Sequence, residues 1–342
     1  MKTFKKLLAS ALVVGMLAGC SSSEPAGSGS AAPAGDDAKT YNVGVAIYDY
    51  NDAFMTLYRN EIESYFAERA GKDGVQYNIK MVDGKNDQGE QGNQIDTFIA
   101  QKMDVVILNL AMTSSADTVI QKLVDAGIPV VLINREPKEG DVDEAYPGIV
   151  DNPTVCYVGA DARQSGTIQG EIIVNLENHG DVNGDGVVNY IMIQGQKENS
   201  DAQYRTEYSI KALTDAGIKV NNLYSDPQLG DWKRDLGAQI SDNALAQFGN
   251  DLEVIFCNND DMACGAATSI EKYGRKVGED IYLVGVDAIQ DAVDLIAQGK
   301  MTGTVLNDHI GQSHTAVDVA IDLLNGKEIK NYYWVDYLPV TE

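Results

Sequence analysis

The side chains with chemical capacity in this chain gather where short apolar runs end. Val43 to Ile47 runs out to Asp52 and Phe54. Later runs end at Asn109, Asn134, Gln194, Asn258 with Asn259, and Asp287, and the run Thr304 to Leu306 ends at Asn307. In open parallel sheets, ligands bind outside the carboxyl ends of the strands. Amides and carboxylates dominate these positions, and the three histidines, His179, His309 and His314, supply no general base among them. Nor does a serine nucleophile or a phosphate-cradling glycine loop fall there. Such a set makes hydrogen bonds rather than covalent ones. A hydroxyl both donates and accepts, so amides beside carboxylates suit a neutral, polyhydroxylated ligand. A lone strand-end asparagine is ordinarily a turn residue or helix cap. Recurrence along both halves of the chain is what points to a site.

A second pattern is metal-like. Asp181-Val182-Asn183-Gly184-Asp185-Gly186-Val187-Val188-Asn189 matches the first nine positions of an EF-hand loop. Oxygen donors stand at Asp181, Asn183, Asp185 and Asn189, glycine makes the turn at position six, and Val187 offers its carbonyl. Position twelve should be a bidentate glutamate but is Met192. The loop is therefore either a site completed from elsewhere or an Asp/Asn/Gly turn. All-oxygen donors favour calcium over transition metals.

The elements that must position these residues read as alternating β and α. After the strand Val43 to Ile47, Phe54, Tyr58, Ile62 and Phe66 recur at helical spacing. Apolar runs follow at Asn78 to Val82, Ile95 to Ala100, Val105 to Leu110 and Val130 to Ile133, with a helix near Asp117 to Ala126. After Tyr157-Val158-Gly159 a second set begins, with strands at Tyr190 to Ile193, Lys219 to Tyr224, Val254 to Cys257 and Tyr282 to Val286. Short apolar runs separated by helical segments predict parallel sheets covered by helices. Two similar sets predict an α/β chain of two similar doubly wound lobes.

The first nineteen residues read as an address. Lys2, Lys5 and Lys6 precede a short apolar run, Leu7 to Leu17, of signal-peptide rather than membrane-spanning length. Leu17-Ala18-Gly19-Cys20 resembles a bacterial lipobox, which makes Cys20 the expected lipid-bearing residue. Residues 20–38 form an expected flexible tether, because Ser21 to Asp37 is almost entirely Ser, Gly, Ala and Pro. The formal net charge of -25 argues against nucleic acid and anionic membrane surfaces as partners. Cys156, Cys257 and Cys264 form no disulfide framework and read as free thiols.

Taken in order, several segments resemble the bacterial glucose/galactose-binding proteins over nearly the whole chain beyond the tether. They are Ile47 to Met55, Asn86-Asp87-Gln88 with Gln94-Ile95-Asp96, Asn134-Arg135-Glu136-Pro137, Tyr157-Val158-Gly159, the loop at Asp181 and Asp201 to Arg205. The order continues through Asn258-Asn259-Asp260, Gly285-Val286-Asp287 and Gly303 to Asp308. The resemblance implies a type I periplasmic binding fold with a three-crossing hinge. Its crossings fall near Gly159 to Asp161, Asn307 to His309 and Trp334 to Tyr337. One lobe would comprise residues 39–160 and 308–335, the other 161–307 and 336–342.

It also implies a sugar sandwiched between Phe54 and Trp232, one ring per lobe. Polar contacts would come from Asp52, Asn134, Asp201, Arg205, Asn259, Asp287 and Asn307. Asn199 stands where the family commonly has a histidine, and the spacing near Trp232 differs slightly. The family's calcium glutamate matches Glu253, giving Asp181, Asn183, Asp185, Val187, Asn189 and Glu253 as the ligand set. Asn109 matches no contact and reads as structural. The implied role is capture of glucose or galactose by a lipid-anchored monomer that serves ABC permease subunits, with a chemoreceptor as a further partner. Receptors for ribose, arabinose or a furanose share the fold. An extracellular sugar-active enzyme is the competing class, and a repressor is excluded by the signal peptide.

Overall fold

The computed structural model describes residues 39–137 and 145–341. The expected signal peptide, Cys20 and tether lie outside the described residues. The first part of the chain forms β1 (Thr40–Ile47), α1 (Ala53–Asp73), β2 (Gln76–Asp83), α2 (Gln88–Ala100), β3 (Val105–Leu108), α3 (Ala116–Asp125), β4 (Val130–Ile133), α4 (Pro147–Val150) and β5 (Val155–Gly159). Then come α5 (Ala162–Val174), β6 (Val188–Gln194), α6 (Ser200–Asp215), β7 (Val220–Asn222), β8 (Gln228–Leu229), α7 (Arg234–Phe248), β9 (Val254–Cys257), α8 (Asp260–Lys272), β10 (Tyr282–Val284), α9 (Gln290–Ala297) and β11 (Thr304–Leu306). The chain closes with α10 (His309–Leu324), β12 (Tyr332–Trp334) and β13 (Leu338–Val340).

Two sheets result. The first has the order β12-β5-β4-β3-β1-β2 and the second β10-β9-β6-β7, with β8 also on β6. Every pairing within them is parallel. The reason is in the sequence: β3, β4 and β9 are VVIL, VVLI and VIFC, buried at every residue. Strands apolar on both faces need cover on both faces, which helical crossovers provide. In β3, Val105 and Ile107 join one core while Val106 and Leu108 join the other. Helix α1 contributes Phe54, Tyr58, Ile62 and Phe66 as one buried stripe and ends at Gly74 in the left-handed conformation.

The chain passes between the sheets three times: from β5 to α5, from β11 to α10 and from β12 to β13. These are the three crossings expected. Four expectations change in detail. The run Ile95 to Ala100 is the end of α2, with Gln91, Ile95 and Phe98 buried at helical spacing. The strand expected over Lys219 to Tyr224 shrinks to β7. The Tyr282 to Val286 strand stops at Val284, because the backbone turns sharply at Asp287. Strand β11 pairs antiparallel with β13 and touches the second sheet only through the bridges Val284–Gly303 and Asp287–Leu306.

Candidate functional site

The carboxyl ends of both sheets face one cleft. Asp52, Phe54 and Asn134 come from the β1–α1 and β4 ends. Asn199, Asp201 and Arg205 come from the start of α6, Trp232 from the turn before α7, Asn259 from β9–α8, Asp287 from the end of β10, and Asn307 from the second crossing. All ten residues expected at a ligand line a single cavity, together with Tyr48 and Arg135. The cavity volume is about 30 Å³, where one water needs roughly 10–15 Å³ on the same measure. On that measure the closed cleft holds roughly two to three waters' worth of space, which excludes anything of polymer size.

The local structure fixes these side chains before any ligand arrives. Asp52 caps α1, its Oδ1 accepting from the Met55 N–H at 2.8 Å, while Tyr48 donates its hydroxyl to Oδ2 at 2.5 Å. Asn199 caps α6 through Ala202 at 3.1 Å, and Asn259 caps α8 through Met262 at 3.0 Å. Three helix N-termini, with their partial positive charge, therefore surround the cavity. Asn134 sits at φ 61°, and its Oδ1 accepts from Asn109 at 3.1 Å. Asn109 is buried and also bonds the Tyr48 N–H and the Ile133 carbonyl, a structural role. The Arg135 guanidinium lies 3.3 Å from the centre of the Tyr48 ring and donates to the Ala111 carbonyl at 2.9 Å.

Across the cleft, Arg205 is the charged hub. It donates to the Asn258 carbonyl at 2.8 Å, the Tyr337 hydroxyl at 3.1 Å and Asp287 Oδ1 at 3.5 Å. Asn307 donates to the same Asp287 oxygen at 3.2 Å and accepts from Gln312 at 2.6 Å. The Trp232 ring packs on Gly195, where an added Cβ would stand 2.2 Å from it. Arg205 Nε and Trp232 Nε1 are buried with no hydrogen-bond partner among the described residues. Leaving a buried donor unpaired costs about 1–3 kcal/mol, so acceptor oxygens on a ligand would find a ready welcome.

Charge in the cleft is tuned by burial. Burial pushes the Asp52 carboxyl up, against the Tyr48 hydroxyl and Met55 N–H that favour its ionised form. Burial likewise pushes Asp287 well up, opposed by Arg205. Burial opposes the charge on Arg205 too, but Tyr337, Asp287 and Asp201 keep it protonated. No histidine lines the cavity. His309 packs edge-on to Phe54 with ring centres 6.4 Å apart.

At the mouth the two halves touch. Gln196 donates to Asn86 Oδ1 at 3.0 Å, Thr113 to the Glu198 carbonyl at 3.4 Å, and Ser200 to the Glu136 carbonyl at 3.2 Å. Sequence reasoning missed Tyr48 and Arg135 as lining residues. Both stand inside the quoted motifs Ile47 to Met55 and Asn134 to Pro137, one residue after an apolar strand or its terminal asparagine.

The loop at Asp181 lies outside that cavity. Asp181 accepts from Gly184 and Gly186 N–H at 2.8 and 2.9 Å, Asn183 from Asp185 at 2.8 Å, and Asp185 from Val187 at 2.9 Å. The fully buried Glu253 reaches the loop from the start of β9, accepting from Asn183 and Asn189 N–H at 2.9 and 2.8 Å. Among the described residues, no three Asp, Glu, His or Cys side chains stand close enough together to hold a metal ion by themselves. The loop instead wraps its carboxylates around its own N–H groups. Each ionised carboxylate has about four acceptor positions, so those bonds leave oxygen donors to spare. The donor chemistry thus fits calcium.

Comparison with known proteins agrees with the fold. Residues 43–328 match the periplasmic binding protein domain. The D-galactose/methyl-galactoside binding periplasmic protein of Haemophilus influenzae is 34% identical over 308 residues, covering 88% of this chain and 86% of that protein. A putative rhizopine-binding protein of Rhizobium meliloti is 30% identical, covering 89% and 91%. An ABC transporter solute binding protein from Bacillus halodurans with bound myo-inositol superposes with a TM-score of 0.75 at 25% identity, covering 90% and 96%. With two parallel sheets, three crossings and one cleft between them, this chain belongs to the periplasmic binding protein family.

Proposed function

We propose that this protein is an extracytoplasmic receptor that captures D-glucose and D-galactose for an ABC-type importer. The observation that carries the reading is one small cavity walled by carboxylates, amides, two arginines and three aromatic rings drawn from the ends of both sheets. A pyranose has flat C–H faces and a rim of hydroxyls. Phe54 and Trp232 would take the faces, since aromatic rings bury large apolar area in a fixed geometry. Asp52, Asp201 and Asp287 would accept from hydroxyls, and Arg205, Asn134, Asn259 and Asn307 would donate to them. A carboxylate accepts from an axial or an equatorial hydroxyl alike, so the two epimers should differ by no more than about tenfold, or about 1.4 kcal/mol. The Haemophilus influenzae relative carries a galactose name, which supports the same choice.

For a transport receptor, binding and release would be the whole reaction. Lipid on Cys20 would hold the monomeric receptor at the membrane beside the permease subunits, with a chemoreceptor as a second reader of the loaded form. Calcium would sit in the loop of Asp181, Asn183, Asp185, the Val187 carbonyl, Asn189 and Glu253, as a structural ion. A second reading, a receptor for another cyclic polyol, draws on the Bacillus halodurans protein and its bound myo-inositol. Calorimetric titration against glucose, galactose, ribose, arabinose and myo-inositol tests both. Tight one-to-one binding of the two hexoses is the expected result. Binding of inositol or a pentose alone would replace the first reading with the second.

A further inference from the structure

Asp260 lines no part of the cavity, yet it is completely buried. It opens α8, beside the cap Asn259, but its carboxylate does not serve its own helix. Oδ2 accepts from the Ile289 N–H at 3.1 Å, and Oδ1 accepts from the Thr304 hydroxyl at 2.6 Å. The Thr304 oxygen in turn accepts from the Ala288 N–H at 3.4 Å, and the Asp260 N–H donates to the Val286 carbonyl at 2.7 Å. Val286, Ala288 and Ile289, on both sides of Asp287, are thus tied to Asp260 directly or through Thr304, while the Asp287 N–H itself donates to the Val305 carbonyl at 2.8 Å.

That turn is bent against the preferences of its residues. Asp287 has φ 123° and Ala288 φ 53°, in the region that non-glycine residues rarely enter. Two such residues in succession persist only where the surroundings over-determine them. What the bend achieves is the placement of the Asp287 carboxylate in the cavity, against Arg205 and Asn307. Behind it there is no slack, since a Cβ on Gly285 would stand 2.2 Å from Asp260 Oδ1.

We propose that Asp260 is the positioning residue for the ligand site, holding the strained turn that presents Asp287 to the bound sugar. A buried acid is a costly choice for scaffolding alone. Burial pushes its carboxyl up to about 7, against the pull of Thr304, the two turn N–H groups and the nearby Arg205. The second acid, Asp287, stands on the same side, and Arg205 reaches over from α6 as the cation. An amide would avoid that cost, but it could keep Thr304 only by reversing that bond, leaving the Thr304 hydroxyl proton without Asp260 as its acceptor.

The inference rests on the receptor reading, and a double-mutant cycle read by calorimetry with galactose and glucose tests it. Asp260→Asn should weaken both sugars on the order of tenfold in the natural background. It should change affinity by twofold or less when Asp287 is already Asn, because its effect runs through Asp287. An equal loss in both backgrounds, or no loss in the first, overturns the proposal. Where Asp260→Asn does not fold, Thr304→Val should weaken binding and Thr304→Ser should restore it. Hydrogen exchange supplies a readout that needs no sugar: the Ala288 and Ile289 amides should exchange at least tenfold faster in the variant. Unchanged exchange overturns the positioning role even if the natural ligand proves not to be a hexose.

Discussion

Asp52, Asn199 and Asn259 each serve twice, as the N-cap of a helix and as a wall of the cavity. Capping holds the side chain in one rotamer, so little freedom remains to be lost when a ligand binds. Asn199→Ala should therefore reduce thermal stability by about 0.5–2 kcal/mol, the usual cost of losing a cap. The same change should weaken sugar binding by about 0.5–1.5 kcal/mol, the scale of one neutral hydrogen bond. Asp201→Ala should cost more, because its bonds to hydroxyls are charge-assisted. Calorimetry and melting curves on both variants decide, and unchanged affinity in Asn199→Ala would remove that residue from the site. The raised carboxyls give a second prediction. Burial raises the carboxyls of Asp52, Asp260 and Asp287, so the folded sugar-free protein keeps each proton to higher pH than the unfolded chain does. The contribution of each is therefore present at low pH and lost as pH rises through its raised value, which for Asp260 is about 7. Asp260→Asn should flatten that slope in a melting series. Hydroxyl donors favour the ionised acids, so sugar binding should release protons from Asp52 and Asp287 and tighten as pH rises through the range in which these raised carboxyls ionise. Asp52 and Asp287 were legible in the sequence because each follows an apolar run, whereas Asp201, in the first turn of α6, came only through the family resemblance. Tyr48 and Arg135 were not, since their role depends on a ring and a guanidinium from different strands meeting at 3.3 Å.

Among the elements, the loop from Asp181 to Asn189 is the one whose purpose lies apart from the ligand. Its closing residue, Glu253, precedes β9, and both of its carboxylate oxygens hold loop N–H groups. Calcium should raise the melting temperature by mass action, and a chelator should lower it without changing sugar stoichiometry. Glu253→Gln should abolish most of the metal response, since an amide cannot bind in bidentate fashion. An identical melting curve with and without chelator would leave the loop as a turn. The match of Asp, Asn and Gly at fixed intervals made this loop visible in the sequence, but its partner came only through the family resemblance. Elements were legible where a buried apolar run marked them. Strands β9 and β11 coincide with their expected runs, whereas β8, β12 and β13 are two or three residues long and carry no periodicity. The run Ile95 to Ala100 shows the ambiguity of a short apolar stretch, which only the buried spacing of Gln91, Ile95 and Phe98 resolves as helix.

At the scale of the molecule, three crossings and three contacts at the cleft mouth describe a closed form. A ligand touching both sheets satisfies all its partners only in that form, so binding should shift the population towards it. Small-angle scattering should show compaction on saturation with glucose, and an unchanged radius of gyration would count against closure. Gln196→Ala, which removes a rim contact without touching the cavity, should shift the sugar-free protein towards the open form and weaken binding modestly. Among the described residues no helix is long and apolar enough to cross a membrane. The chain has two tryptophans. Trp232 lines the cavity, while Trp334 stands 47% exposed at the third crossing, its ring stacked on Tyr332 at 5.5 Å. Nature has thus installed one fluorophore at the ligand and another at the hinge. In a Trp334→Phe protein the remaining tryptophan emission would report the cleft, and in a Trp232→Phe protein it would report the hinge. Stopped-flow traces from the pair would show whether capture precedes closure, with no dye attached.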